Sequence, residues 1–226
     1  KSGERLYVQL KKFEVQFKEK DFLLLTVEDQ TETYKSTNQQ RLIQSVNAHL
    51  KSNNQFSEKL RVIMEEIRNY SGFDLAEFWL MNHAGSNLNY EVAAYSENDA
   101  ASKEFVHATV ELLKLQPKDQ NVSEKYTPYL RQQPDWIDDI NETTLLIRNA
   151  AAIKAGYKTA LVFPVITANK LVCYFNFYSN KKVVKDEHLI QLLSGIGYIL
   201  VNDIEKTRKE LMLDRFFEIT SDFITI

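Results

Sequence analysis

The apolar residues of this 226-residue sequence change their spacing several times along the chain, and the order of these changes strongly constrains its fold. Apolar segments of strand length occur in three pairs, the first of them with the period-two alternation of half-buried strands, and segments with the 3.6-residue period of an amphipathic helix separate the pairs. Strands that follow each other closely in sequence pair antiparallel through short turns. The order therefore predicts an α+β fold, with helices covering an antiparallel sheet.

The first strand pair lies within the first thirty residues. Its apolar side chains alternate with polar ones and are interrupted by a charged turn at residues 18–21; they are Leu6, Val8, Leu10, Phe13, Val15 and Phe17, followed by the apolar run 22–27. This pattern predicts a β-hairpin. An isolated hairpin is only marginally stable in water, so we expect these strands to belong to a larger sheet.

Two further strand pairs are predicted at residues 76–81 with 88–95 and at residues 158–167 with 170–179. A helix at residues 100–115, an irregular stretch at 116–141 with three of the four prolines, and a short helix at 143–155 separate them. Together they predict one antiparallel sheet flanked by helices.

Long amphipathic helices are predicted on both sides of this sheet, over residues 38–71 and from 186 to at least 213. Ser52 and Gln55 match a capping box, which leaves open whether the first stretch is one helix or two. Both apolar stripes are longer than one small sheet is expected to cover, so we expect a homodimer that pairs them in a four-helix bundle. The residues expected in that interface are Ile43, Val46, Leu50, Leu189, Leu193, Ile196, Leu200, Ile204 and Leu211.

Composition excludes several classes of protein. The net charge of −3 argues against nucleic acid as a partner. One cysteine excludes a disulfide framework, and the four histidines lack metal-ligand spacing, so we predict no metal site. No apolar run approaches the roughly 20 residues that span a bilayer, so we expect a cytoplasmic segment without membrane contact. Nucleophile and phosphate-loop motifs are missing, which predicts a fragment without catalytic activity or cofactor.

An ordered set of short motifs resembles a GAF domain over residues 56–206. The motifs are Gly72-Phe73-Asp74 before the strand 76–80, Pro134-Asp135-Trp136-Ile137-Asp138-Asp139, Arg148, the stretch from Ala155-Gly156-Tyr157 to Phe163-Pro164-Val165, the strand 172–177 and Asp186. The resemblance implies an α+β sensory domain.

The flanking segments resemble parts of PAS domains. Residues 1–31 resemble the last strands of one PAS domain, residues 32–55 form a connector helix, and residues 207–226 resemble a helical exit and the start of another PAS domain. Such an array is similar to the input region of bacterial sensor proteins. The resemblance implies a parent with neighbouring PAS and output domains, a sensor histidine kinase in a two-component system rather than a diguanylate cyclase.

The resemblance also implies where a ligand would bind. The expected pocket lining is Trp79, Trp136, Tyr157, Phe163 and Tyr174, with Arg148 as the fixed cation, although the same aromatic residues are what a small core needs. The expected function is a sensory and dimerisation module that relays a conformational change through paired helices. The alternative is a receptor for a cyclic nucleotide or another small molecule. Cys173 is expected to be a buried structural residue.

Overall fold

The computed structural model describes residues 6–18, 20–82, 88–115, 133–142 and 148–224. The chain divides into two compact units, Lys1–Gln44 and Ser45–Ile226. Within the described residues, every helix is too short or too polar to cross a membrane.

The first unit contains the predicted hairpin. Strands β1 (Val8–Phe17) and β2 (Lys20–Asp29) pair antiparallel in an unbroken register from Val8 opposite Asp29 to Phe17 opposite Lys20. Strand alternation places Val8 and Leu10 with Leu23, Leu25 and Val27 on one face, and Phe13, Val15 and Phe17 with Phe22 and Leu24 on the other. All of these side chains are exposed. The hairpin therefore has apolar residues on both faces.

Helix α1 (Thr31–Leu50) follows the hairpin directly. The Asp29 carboxylate accepts a hydrogen bond from the Thr31 amide at 2.9 Å, and the Thr31 hydroxyl accepts one from the Tyr7 amide at 3.0 Å. The rings of Tyr7 and Tyr34 stack with their centroids 3.8 Å apart. These contacts fix the first turn of the helix against the end of the hairpin.

The second unit is built around a five-stranded antiparallel sheet in the order β4-β3-β7-β6-β5. The strands are β3 (Leu75–Met81), β4 (Leu88–Tyr95), β5 (Asp135–Ile137), β6 (Thr159–Thr167) and β7 (Lys170–Ser179). Four of them match the predicted strands to within one residue, and β5 lies in the stretch predicted to be irregular. The tight turn between β6 and β7 places Ala168 and Asn169 at φ 47° and 58°, the conformation of a type I′ hairpin.

Helices cover both faces of this sheet. Helices α2 (Phe56–Ser71) and α5 (Glu187–Ile224) pack on one face, here called the α2/α5 face, and helices α3 (Ala100–Leu115) and α4 (Asn149–Lys154) pack on the other, the α3/α4 face. A short 3₁₀ helix, Ile140–Glu142, follows β5. The predicted α+β architecture is confirmed.

The boundary between α1 and α2 differs from the predicted capping box. Helix α1 ends at Leu50, and α2 begins after Gln55, which makes no side-chain capping bond. The Ser52 hydroxyl instead donates to the carbonyl of His49 at 2.7 Å. The capping-box interpretation is therefore wrong, and the stretch is two helices. The predicted stop at Gly72 is found, with φ 74° and its amide donating to the Arg68 carbonyl.

Candidate functional site

The α3/α4 face carries a fully buried carboxylate at the centre of the sheet. Alternation along β3 points Leu75, Glu77 and Trp79 to this face, and the pairing register sets Glu77 opposite Asn176 of β7. Glu77 has no exposed surface. A buried charge without a partner would destabilise the fold. The groups that pair with the Glu77 carboxylate therefore determine the chemistry of this site.

Arg148, directly before α4, is the partner of Glu77. Its Nη2 atom lies 2.5 Å from Oε2 of Glu77 and its Nη1 atom lies 3.1 Å from Oε1, which makes the pair bidentate. Nη1 also donates to the hydroxyl of Thr109 on α3, and Nη2 donates to the hydroxyl of Tyr178 on β7 at 3.0 Å. Arg148 is 9% exposed, so both charges are buried and compensate each other.

Aromatic rings enclose the same guanidinium group. The Cζ atom of Arg148 lies 4.5 Å from the ring centroid of Phe105, 5.4 Å from that of Trp79 and 5.6 Å from that of Tyr178. These distances are within the range of cation–π attraction. The indole N–H of Trp79 donates to Oε2 of Glu77 at 3.4 Å.

Two further tyrosines lie on this face. The Tyr157 hydroxyl is 2.6 Å from that of Ser102, which donates to the Asp99 carboxylate at the start of α3. The Tyr90 ring packs edge-on against Trp79, with centroids 4.8 Å apart, and its buried hydroxyl has no hydrogen-bond partner among the described residues. Burial raises the pKa of both tyrosines above the usual value, so both hydroxyls are protonated at neutral pH.

Known structures share this architecture. The sequence matches no protein-family model, and no curated protein is similar to it in sequence. Among solved structures, the GAF domain of a phosphoenolpyruvate-protein phosphotransferase from Coxiella burnetii superposes with a TM-score of 0.59 at 12% identity, covering 80% of this chain and 98% of that one. The chain has the fold of a GAF domain.

Two other solved structures show the same fold in different settings. A domain assigned to a two-component sensor histidine kinase from Sinorhizobium meliloti has a TM-score of 0.54 at 16% identity, covering 72% of this chain and 99% of that one. The free methionine-R-sulfoxide reductase from Neisseria meningitidis, in complex with its substrate, has a TM-score of 0.55 at 11% identity, covering 78% and 93%. The GAF fold is thus shared by a sensor-kinase domain and an enzyme.

The six predicted ligand-binding residues do not lie on one face of the GAF sheet. Trp79, Arg148, Tyr157 and Tyr174 lie together on the α3/α4 face. Trp136 and Phe163 lie on the α2/α5 face, where Trp136 packs edge-on against Phe73 and Phe163 contacts Phe175. Trp136 and Phe163 therefore do not share a site with Trp79.

Sequence reasoning missed Glu77, Phe105, Thr109 and Tyr178, which together with Trp79 surround Arg148. One signal for them was present. Glu77 is the only charged residue in the strand Leu75–Met81, whose other members are all apolar. A charge at the centre of such a strand requires a buried partner, and that requirement points to an arginine or lysine elsewhere in the chain.

The residues predicted to form a dimer interface are mostly covered by their own chain. Ile43 is half-buried, the side chain of Leu211 lies outside the described residues, and the others are buried, namely Val46, Leu50, Leu189, Leu193, Ile196, Leu200 and Ile204. The expectation that the domain leaves the apolar stripe of α5 uncovered is therefore wrong for the residues from Leu189 to Ile204. A role for these residues in a dimer stays a prediction.

Cys173 lies on the α2/α5 face and has no exposed surface. Burial raises the pKa of its thiol, which keeps it protonated at neutral pH. Among the residues that the structure describes, no three His, Cys, Asp or Glu side chains form a group able to hold a metal ion.

Proposed function

We propose that this chain is a sensory GAF module of a bacterial multidomain signalling protein, in which a helix relays a conformational change to an output domain. The sensor-kinase assignment of the Sinorhizobium meliloti domain supports a histidine kinase as the parent. The apolar residues on both faces of the hairpin support its origin in a larger sheet, as in a preceding PAS domain.

The observation that carries the proposal is the link between β3 and α5. Strand β3 holds Glu77 in the buried ion pair, and the carbonyl of its last residue, Met81, accepts a hydrogen bond from Arg208 of α5 at 2.6 Å. Helix α5 continues from there to Ile224, about 24 Å further at the usual rise per residue. A shift of β3 therefore acts directly on the helix that leaves the domain.

Hydrogen–deuterium exchange of the Glu77→Gln variant tests the relay. Weakening the ion pair is expected to increase exchange in β3 and, through Arg208, in residues 205–224. Glu104→Gln is the matched control, because Glu104 pairs with Lys154 at the surface, where the two side chains are 71% and 77% exposed. If exchange increases only in the sheet, the proposed relay is wrong.

The proposed partner is a second copy of the chain, paired through the exposed face of α5. Gln191, Gly195, Tyr198 and Asn202 follow one another on this face, and Tyr198 is 63% exposed. Analytical ultracentrifugation is expected to show a dimer at high micromolar concentration, which Tyr198→Arg dissociates. Val184→Arg, at an exposed apolar residue outside α5, is the control. A stable monomer at that concentration contradicts this part of the proposal.

The second candidate function is a small-molecule receptor. The observation that favours it is the buried Tyr90 hydroxyl, a polar group that finds no partner in the described residues. Its neighbour Arg148 is already paired with Glu77, so a cyclic nucleotide would have to compete with that carboxylate. A thermal-shift screen of small molecules tests this function. At least one compound is expected to raise the Tm of the wild-type chain, and the same compound is expected not to raise the Tm of Tyr90→Phe.

A further inference from the structure

The surroundings of Arg148 resemble a binding site more than a simple ion pair. Three separate elements supply them: β3 with Glu77 and Trp79, α3 with Phe105 and Thr109, and β7 with Tyr178. All five side chains are at most 2% exposed. The guanidinium group comes from a fourth segment, the residue before α4.

We propose that these five residues form a guanidinium-binding site whose ligand is Arg148 of the same chain. The proposal stands on this geometry alone and does not depend on the sensory function. We call Glu77, Trp79, Phe105, Thr109 and Tyr178 the guanidinium cage. Arg148 is then a built-in ligand, and the cage retains its affinity for the guanidinium group when that side chain is removed.

The cage matches each chemical feature of a guanidinium ion. The Glu77 carboxylate meets two of its N–H groups side by side, at 2.5 and 3.1 Å, as the planar fork of a guanidinium requires. The hydroxyls of Thr109 and Tyr178 accept further N–H bonds. The aromatic rings attract a positive charge and exclude water.

The same features define which ligands fit. A carboxylate or phosphate would meet the negative charge of Glu77, whereas an ammonium ion has no planar pair of N–H groups for the bidentate contact. The cage is therefore selective for guanidinium and the related amidinium ions. This selectivity is opposite in charge to that of a cyclic-nucleotide site.

Chemical rescue of Arg148→Ala tests the proposal. Guanidinium chloride at low millimolar concentration, far below denaturing levels, is expected to raise the Tm of this variant saturably. The rise is expected to be about 3–6 °C at a tenfold excess over Kd. Equal concentrations of methylammonium chloride or NaCl are expected to have little effect. Guanidinium chloride is expected not to raise the Tm of the wild type, because Arg148 already fills the cage. It is also expected not to raise the Tm of Glu77→Gln/Arg148→Ala, because this cage lacks the carboxylate.

Two outcomes of the rescue experiment would overturn the proposal. If folded Arg148→Ala shows no saturable rise, the cavity collapses and the cage is not a binding site. If wild type or the double variant gains as much as Arg148→Ala, the effect is nonspecific.

Nuclear magnetic resonance of the wild-type chain provides a test that requires no variant to fold. With ¹⁵N-labelled arginine, a caged guanidinium is expected to show separate Nη–H signals, because its hydrogen bonds and rings block rotation about the Cζ–Nη bonds. These signals are expected to show contacts with the ring protons of Phe105, Trp79 or Tyr178. Averaged signals for all arginines would show that Arg148 rotates freely, and the proposal would be wrong.

Discussion

Gly197 of α5 lies so close to β6 that a β-carbon on it would come within 2.7 Å of Cγ2 of Val165. The helix therefore approaches the sheet through its own backbone at this point. Glycine is unfavourable within a helix, so its presence here follows from the close approach and not from helix propensity.

The Gly197→Ala substitution is expected to destabilise the domain. The added methyl group has to displace Val165 or move α5 away from the sheet, at a cost of about 1–3 kcal/mol. Urea unfolding measures the change as a lower midpoint. Gly195→Ala is the matched control two residues away, since nothing lies within 4 Å of a β-carbon there. It is expected to stabilise the domain by up to about 1 kcal/mol through helix propensity. Equal effects of the two substitutions would contradict the close-contact explanation.

The buried ion pair of Glu77 and Arg148 is expected to be more sensitive to substitution than the exposed pair of Glu104 and Lys154. Glu77→Gln leaves the Arg148 charge buried without its counter-ion, which costs about 3–5 kcal/mol. The free energy of unfolding in urea measures this loss. Glu104→Gln breaks an exposed pair and is expected to leave the unfolding midpoint unchanged. An unchanged midpoint in Glu77→Gln would mean that water reaches the pair.

The two buried tyrosines are expected to respond differently to loss of their hydroxyl groups. Tyr157→Phe removes the 2.6 Å contact with Ser102 and is expected to cost about 1 kcal/mol. Tyr90→Phe removes a buried hydroxyl without a partner among the described residues, so stability is expected to be unchanged or higher. Thermal unfolding compares the pair. A larger loss in Tyr90→Phe than in Tyr157→Phe would contradict the assignment of the two hydroxyls.

Stability is expected to fall at alkaline pH. Burial raises the folded-state pKa of Tyr90 and Tyr157 above the ordinary tyrosine value of 10.0. Their contribution is fully present below pH 10 and is lost as the pH rises above it, because the unfolded chain then releases protons that the folded chain retains. Each tyrosine contributes a slope that approaches about 1.4 kcal/mol per pH unit once the pH is well above about 10. Urea titrations between about pH 9 and about pH 11 are expected to show the free energy of unfolding falling more steeply as the pH passes about 10, and this fall is expected to be smaller in Tyr157→Phe.

Cys173 is expected to be unreactive in the folded domain. Its thiol is fully buried and its pKa is raised by burial, so both access and thiolate formation are suppressed. Labelling with a thiol reagent at pH 8 is expected to fail under native conditions and to reach one thiol per chain in urea. Rapid labelling under native conditions would contradict this prediction and would show that the Cys173 thiol is accessible in the folded domain.

The strands were predictable because their patterns are local. Apolar runs of strand length located β3, β4, β6 and β7, and the two-residue gap between the last two runs located the turn at Ala168 and Asn169. Strand β5 has only three residues, too few for any period to be visible.

The site was harder to predict because it depends on contacts between distant residues. Glu77 and Arg148 are 71 residues apart, and nothing local links them. Trp136 and Phe163 were predicted to line the site because they are aromatic. The register of β5 and β6 instead places both side chains on the opposite face of the sheet. Side-chain direction depends on the exact pairing of the strands, which the pattern alone does not specify.

The unbroken course of α5 makes the domain sensitive to the length of whatever is joined to it. In an α-helix each added residue turns everything beyond it by about 100° and moves it by about 1.5 Å. An insertion of one residue after Ile204 would thus rotate the C-terminal part of α5 by slightly more than a quarter turn, whereas an insertion of seven residues would nearly restore its original orientation. Helix α5 therefore fixes an angle as well as a distance, and fusions built on this domain have to be designed in steps of whole heptads.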